Sequence, residues 1–129
     1  MKRVSLVLAA FMAQPSGAFV QVAPPCQAHL ELVQHDQLLT VAGHCRSSAG
    51  AGAPARYRYQ LLVLRQSRAG RSQNSQGGEF ALLPNQDLVL SEVRVSVLAH
   101  DEYQAKLLIF DLQGKVIARD SATQATVAH

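Results

Sequence analysis

The sequence predicts an all-β chain, folded as a sandwich of about seven antiparallel strands. Apolar residues recur with period two along most of it. Turn-forming residues interrupt that alternation about every 8–12 positions, and no stretch carries the 3.6-residue period of an amphipathic helix. Many short alternating strands with evenly spaced turns are the pattern of a β-sandwich.

The strands do not begin at residue 1. Lys2 and Arg3 form a positive start, residues 4–13 are apolar and uncharged, and Ser16 and Ala18 are small residues placed for signal peptidase. This is the three-part layout of a secretory signal, with cleavage expected after Ala18. The apolar run is far shorter than the ~20 residues that cross a bilayer. The expected organisation is a signal over 1–18, a lead-in over 19–25 stiffened by Pro24-Pro25, a sandwich over 26–122 and a frayed tail over 123–129. The mature product of about 111 residues is enough for one hydrophobic core. Periplasmic localisation follows, with no membrane contact after signal removal.

Residues 27–33 and 38–45 form the first strand pair, joined by Gln34-His35-Asp36-Gln37. A hairpin centred between His35 and Asp36 sets Leu32 across from Leu39, Leu30 from Val41, Ala28 from Gly43 and Cys26 from Cys45. A slip of one residue would break both the apolar and the cysteine match. Paired cysteines in an exported protein become disulfides, and opposed strand positions suit the short separation a disulfide needs. Closing this loop of about 18 residues stabilises by on the order of 3 kcal/mol in the chain-entropy model. The other reading is a redox-active pair, for which no Cys-x-x-Cys or Cys-x-Cys spacing exists.

Residues 47–55 are rich in Ser, Ala, Gly and Pro and read as a loop. Tyr57, Tyr59, Leu61 and Val63 alternate with Arg56, Arg58, Gln60 and Leu62 in a third strand. Residues 66–76 are polar and contain a turn near Gly70; a fourth strand follows over 78–83, then a turn at Leu83-Pro84-Asn85-Gln86-Asp87. In the fifth strand the alternation changes phase between Leu90 and Val93, which predicts a bulge at Ser91-Glu92. Tyr103, Ala105, Leu107 and Ile109 point inward from the sixth strand, and Gly114 makes the turn into the last, over 116–122.

The formal charge of +3 falls to about +1 once Lys2 and Arg3 leave, too little for generic nucleic-acid binding. Its distribution is more informative. Between Gln37 and Gly78 there is no Asp or Glu, while Arg46, Arg56, Arg58, Arg65, Arg68 and Arg71 all lie there. Such a stripe attracts an acidic or polar extended partner; charge on a strand also blocks unwanted pairing. Both readings stand. The histidines at 29, 35, 44, 100 and 129 lack the convergence of a metal site, although His29 and His44 share the outer face of the first hairpin. No nucleophile elbow, paired-carboxylate motif or phosphate loop points to catalysis, so neither enzyme activity nor a cofactor is expected.

Arg58-Tyr59-Gln60-Leu61-Leu62-Val63-Leu64-Arg65, Gly70-Arg71-Ser72-Gln73, Leu83-Pro84-Asn85-Gln86, Ser91-Glu92-Val93-Arg94-Val95-Ser96-Val97 and Asp101-Glu102-Tyr103 together resemble the curli assembly inhibitor family, CsgC and CsgH. The resemblance spans about 26–122, and the spaced Cys26/Cys45 pair looks more like the CsgH branch. It implies a small periplasmic immunoglobulin-like β-sandwich that keeps an amyloid-forming curli subunit from fibrillating before export. The implied client-binding residues are Arg58, Arg65 and Arg71, with Arg56 and Arg68 as neighbours. A monomer is expected. A thiol–disulfide redox partner and a fibre or adhesin module are the competing functions.

Overall fold

The computed structural model describes residues 25–48 and 54–125. The expected signal and most of the lead-in lie outside these residues, as do 49–53 of the first loop and 126–129 of the tail. Among these residues seven strands are present: β1 Cys26–His35, β2 Leu38–Ser47, β3 Ala55–Ser67, β4 Gly70–Leu82, β5 Asp87–Ser96, β6 Glu102–Phe110 and β7 Val116–Ala125. They form two antiparallel sheets, ordered β1-β2-β5 and β4-β3-β6-β7, stacked as an immunoglobulin-like sandwich.

The core lies between the sheets. Leu30, Leu39, Val41, Cys45 and Val93 enter from the three-stranded side. Tyr57, Leu61, Val63, Tyr103, Ala105, Leu107 and Ile109 enter from the four-stranded side. Each set has one parity along its strand, as period-two alternation requires. Gly43 lets the sheets approach: a Cβ there would stand 3.2 Å from Leu107 Cδ1.

The first hairpin differs from expectation by two residues. Its turn is Asp36-Gln37, with His35 across from Leu38, Leu32 from Val41 and Ala28 from Cys45. Asp36 takes a left-handed φ of 56°, which a short polar side chain tolerates. A two-residue slip keeps every side chain on its face, so the apolar pattern cannot distinguish the two registers. It does change partners: Cys26 opposes Ser47, and the cysteines become diagonal neighbours.

Two boundaries also move. The stretch 66–76 is the end of β3, a two-residue turn at Arg68-Ala69 and the first half of β4. Most of its β4 side chains are exposed on both faces, so no apolar alternation marks the strand. The expected tail starts late, since Thr123, Gln124 and Ala125 pair with Gln104, Tyr103 and Glu102. The bulge in β5 is at Leu90, the extra residue where Gly43 pairs with Ser91 and His44 with Val89, one position before the predicted site. The turn after β4 has Pro84 second and Asn85 third at φ 60°, closed by Gln86 N–H donating to Leu83 O at 3.2 Å, which fits type II chemistry.

The corner between β5 and β6 is pinned by one tyrosine. Tyr103, at the start of β6, donates its hydroxyl to Ser96 O, the tyrosine corner of this architecture. Burial holds its phenol above the usual range.

Candidate functional site

The outer face of the four-stranded sheet collects the cations. Register puts Arg56 and Arg58 of β3 on the same face as Arg71 of β4, Lys106 of β6 and Arg119 of β7. Glu79 and Glu102 are the acids among the described residues of this face. Leu62, Leu64, Leu108 and Phe110 run between the charges, each half-buried. The face therefore offers apolar contact flanked by positive charge, which suits an acidic, extended ligand.

Shallow grooves indent it. One of about 570 Å³ is lined by Arg58, Gln60, Ser75, Gly77, Glu79 and Phe110. Another, of about 510 Å³, is lined by Lys106, Leu108, Val116, Arg119, Asp120 and Ser121. Gly77 shapes the first: a Cβ there would stand 2.9 Å from Tyr59 O, so β3 and β4 approach more closely than a side chain allows. Arg56 Nη2 donates to Glu79 Oε1. That hydrogen bond and the Arg56 charge hold the Glu79 carboxyl below its usual range, with a smaller contribution from Arg58.

The five arginines expected to act together are not all together. Arg56, Arg58 and Arg71 share the outer face, and Arg68 sits at the exposed turn beside it. Arg65 has the opposite parity. Its Nε donates at 3.1 Å to Oδ2 of Asp101, a residue only 3 % exposed. That oxygen also accepts Leu98 N–H at 3.0 Å and lies 3.4 Å from the Tyr103 hydroxyl. Arg65 is thus committed to the β5–β6 corner. Lys106 and Arg119 were missed by sequence reasoning, although the inward set Tyr103, Ala105, Leu107 and Ile109 already implied an outward Lys106.

Cys26 and Cys45 are both fully buried and free, and hydrogen-bond one another. The Cys45 thiol is pushed far above the usual thiol range by that bond, by burial and by charge repulsion. The bond lowers Cys26 against the effect of its burial. On the outer face of the same sheet, the His29 and His44 rings lie 6.0 Å apart, and His44 is 3.3 Å from Glu31 and 3.6 Å from Asp87. Among the described residues, no group of three or more His, Cys, Asp or Glu could hold a metal ion.

No family model and no curated protein matches the sequence. Solved structures do match. The curli protein CsgC of E. coli superposes with TM-score 0.62 at 20% identity, over 74% of this chain and 96% of that one. CsgH of R. palustris gives 0.56 at 21%, over 73% and 89%. A β-glucuronidase of Bacteroides uniformis gives 0.56 at 10%, over 81% of this chain but 14% of the enzyme, so the same sandwich also serves as a module inside a larger protein. The likeness is one of fold. Of the two curli-system structures, CsgC superposes better, so the expected leaning toward CsgH is not visible in the backbone.

Proposed function

We propose that this protein is an exported, chaperone-like inhibitor of curli-type amyloid assembly, which binds the fibre subunit without catalysis. The observation that carries the reading is the outer face of the β4-β3-β6-β7 sheet. There Arg56, Arg58, Lys106 and Arg119 border the apolar row Leu62, Leu64, Leu108 and Phe110, on the fold of CsgC and CsgH. A polar, acidic amyloid chain held there by many weak contacts is kept from stacking on its own kind. No bond is made or broken.

Export is part of the proposal, and it makes Cys26 and Cys45 a structural disulfide in the mature protein. A redox-partner function is less well supported, because exchange needs an accessible sulfur and both are fully buried.

The test is a dye-binding fibrillation assay with purified curli subunit. The mature protein lengthens the lag phase, and the double reversal Arg58→Glu with Arg119→Glu shortens it again without changing the circular dichroism spectrum. An unchanged lag with the wild-type protein, from equimolar ratio downward, overturns the proposal.

A further inference from the structure

A two-sheet sandwich has four edge strands, here β1, β5, β4 and β7. An edge strand presents unpaired N–H and C=O groups, and native proteins block such edges with bulges, Pro, Lys or a covering segment. Three of the four are blocked. β1 and β7 lie against each other: Asp120 Oδ2 accepts the Leu30 N–H at 2.8 Å, and Gln124 Nε2 donates to Gln34 Oε1 at 2.8 Å. β7 is further bent by the extra residue Ile117, and β5 is broken by the bulge at Leu90.

Among the described residues, β4 has no bulge, Pro, Lys or covering strand. It runs thirteen residues, Gly70–Leu82, in unbroken register with β3. A side-chain contact to the other sheet joins Gln76 to Ser91. The two-residue turn makes Ser67 and Gly70 the closing pair of the ladder. Antiparallel pairs alternate in bonding, so Arg71, Gln73, Ser75, Gly77 and Glu79 direct their backbone groups to the open side.

The side chains specify what fits. Near its start β4 covers no core: Ser72 and Asn74 on one face are exposed, as are Arg71, Gln73 and Ser75 on the other. A strand laid beside this segment has water on both faces. An alternating apolar strand would expose its apolar row there; one polar on both faces would not. Arg71, with Arg68 at the adjoining turn, adds a demand for negative charge.

We infer that β4 is a strand-addition site for an extended segment rich in Gln, Asn and Ser and carrying carboxylates, which joins the sheet as a fifth strand beside β4. This is the chemistry of polar amyloid repeats, whose amide side chains stack in ladders. The inference rests on the reading above for the identity of the client and adds the mode of capture. A subunit at a fibre tip that pairs with β4 presents a folded domain, instead of a free edge, to the next subunit.

Backbone hydrogen exchange on the full mature protein tests the mode. The probe is a synthetic peptide of Gln, Asn, Ser and Gly with an aspartate at each end. Its addition slows exchange at Gln73, Ser75 and Gly77, and leaves β7 unchanged. Ser75→Pro removes an outward N–H and spares the β3 ladder; it weakens peptide binding about tenfold and abolishes lag extension in the fibrillation assay. If that variant does not fold, exchange on the wild-type protein decides alone. Protection of β4 amides that rises with protein concentration in the absence of peptide would show a second copy as the occupant and overturn the inference. So would lag extension by wild-type protein without β4 protection. Peptide protection at β4 with no lag extension would instead sink the amyloid function and leave the strand site standing.

Discussion

Arg65→Met separates the arginine of the β5–β6 corner from those proposed to hold the client. The substitution keeps the aliphatic stem and removes the guanidinium that bonds Asp101 at 3.1 Å. Asp101 is 3 % exposed and Arg65 28 %, so the pair is sheltered on one side and open to water on the other. Stranding a fully buried charge costs about 3–5 kcal/mol, and an exposed pair contributes ~0–1. The Asp101 carboxylate keeps the Leu98 N–H at 3.0 Å, which offsets part of the loss. The expected destabilisation lies between these limits, about 1.5–3 kcal/mol. For a domain of this size that lowers Tm by roughly 6–15 °C. Urea unfolding followed by circular dichroism reads it as a lower midpoint at unchanged slope. Lag extension in the fibrillation assay, at a temperature where the variant remains folded, stays at the wild-type level. A stability change below about 0.5 kcal/mol together with lost inhibition would refute the reasoning, and would return Arg65 to the client surface.

Three further outcomes follow from the geometry. Gly77→Ala drives a Cβ to 2.9 Å from Tyr59 O, and backbone must shift to relieve it; about 1–3 kcal/mol of stability is lost, with amide shift changes confined to β3 and β4. Glu79 titrates below the ordinary glutamate value of about 4.3. Because its folded pKa is depressed, its contribution to stability is present above that value and disappears as pH falls through the folded pKa. Arg56→Gln returns the midpoint, read by side-chain NMR, toward the ordinary value. Both cysteines of the reduced native protein resist alkylation at pH 8, since both are fully buried and the Cys45 thiol is held far above its usual range. Oxidative refolding closes the diagonal pair, which mass spectrometry reads as the loss of two hydrogens. Alkylation of the native protein as fast as of the urea-unfolded chain would contradict the burial.

Much of this architecture is legible in the residues because strand alternation is local. Tyr57, Leu61 and Val63 can share a face only if Arg56, Arg58 and Gln60 share the other, and the phase break between Leu90 and Val93 requires an extra residue. β4 was hidden for the corresponding reason: Arg71 to Ser75 bury neither face, so nothing in their polarity distinguishes strand from loop. The acid-free stretch from Gln37 to Gly78 marked the cations without showing that Arg65 faces the corner.

Taken alone, the sequence determines which side of its strand each residue occupies, because successive Cβ atoms alternate whatever the strand pairs with. The tertiary structure decides who stands opposite. Registers two residues apart present the same faces, so only the Asp36-Gln37 turn sets Cys45 across from Ala28 and the cysteines on a diagonal. Only the packed corner gives Arg65 its carboxylate, 36 residues along the chain. And only the closing of the two sheets shows that, among the described residues, β1, β5 and β7 are blocked while β4 has no strand beside it, since an edge is a property of the assembled sheet and not of a strand.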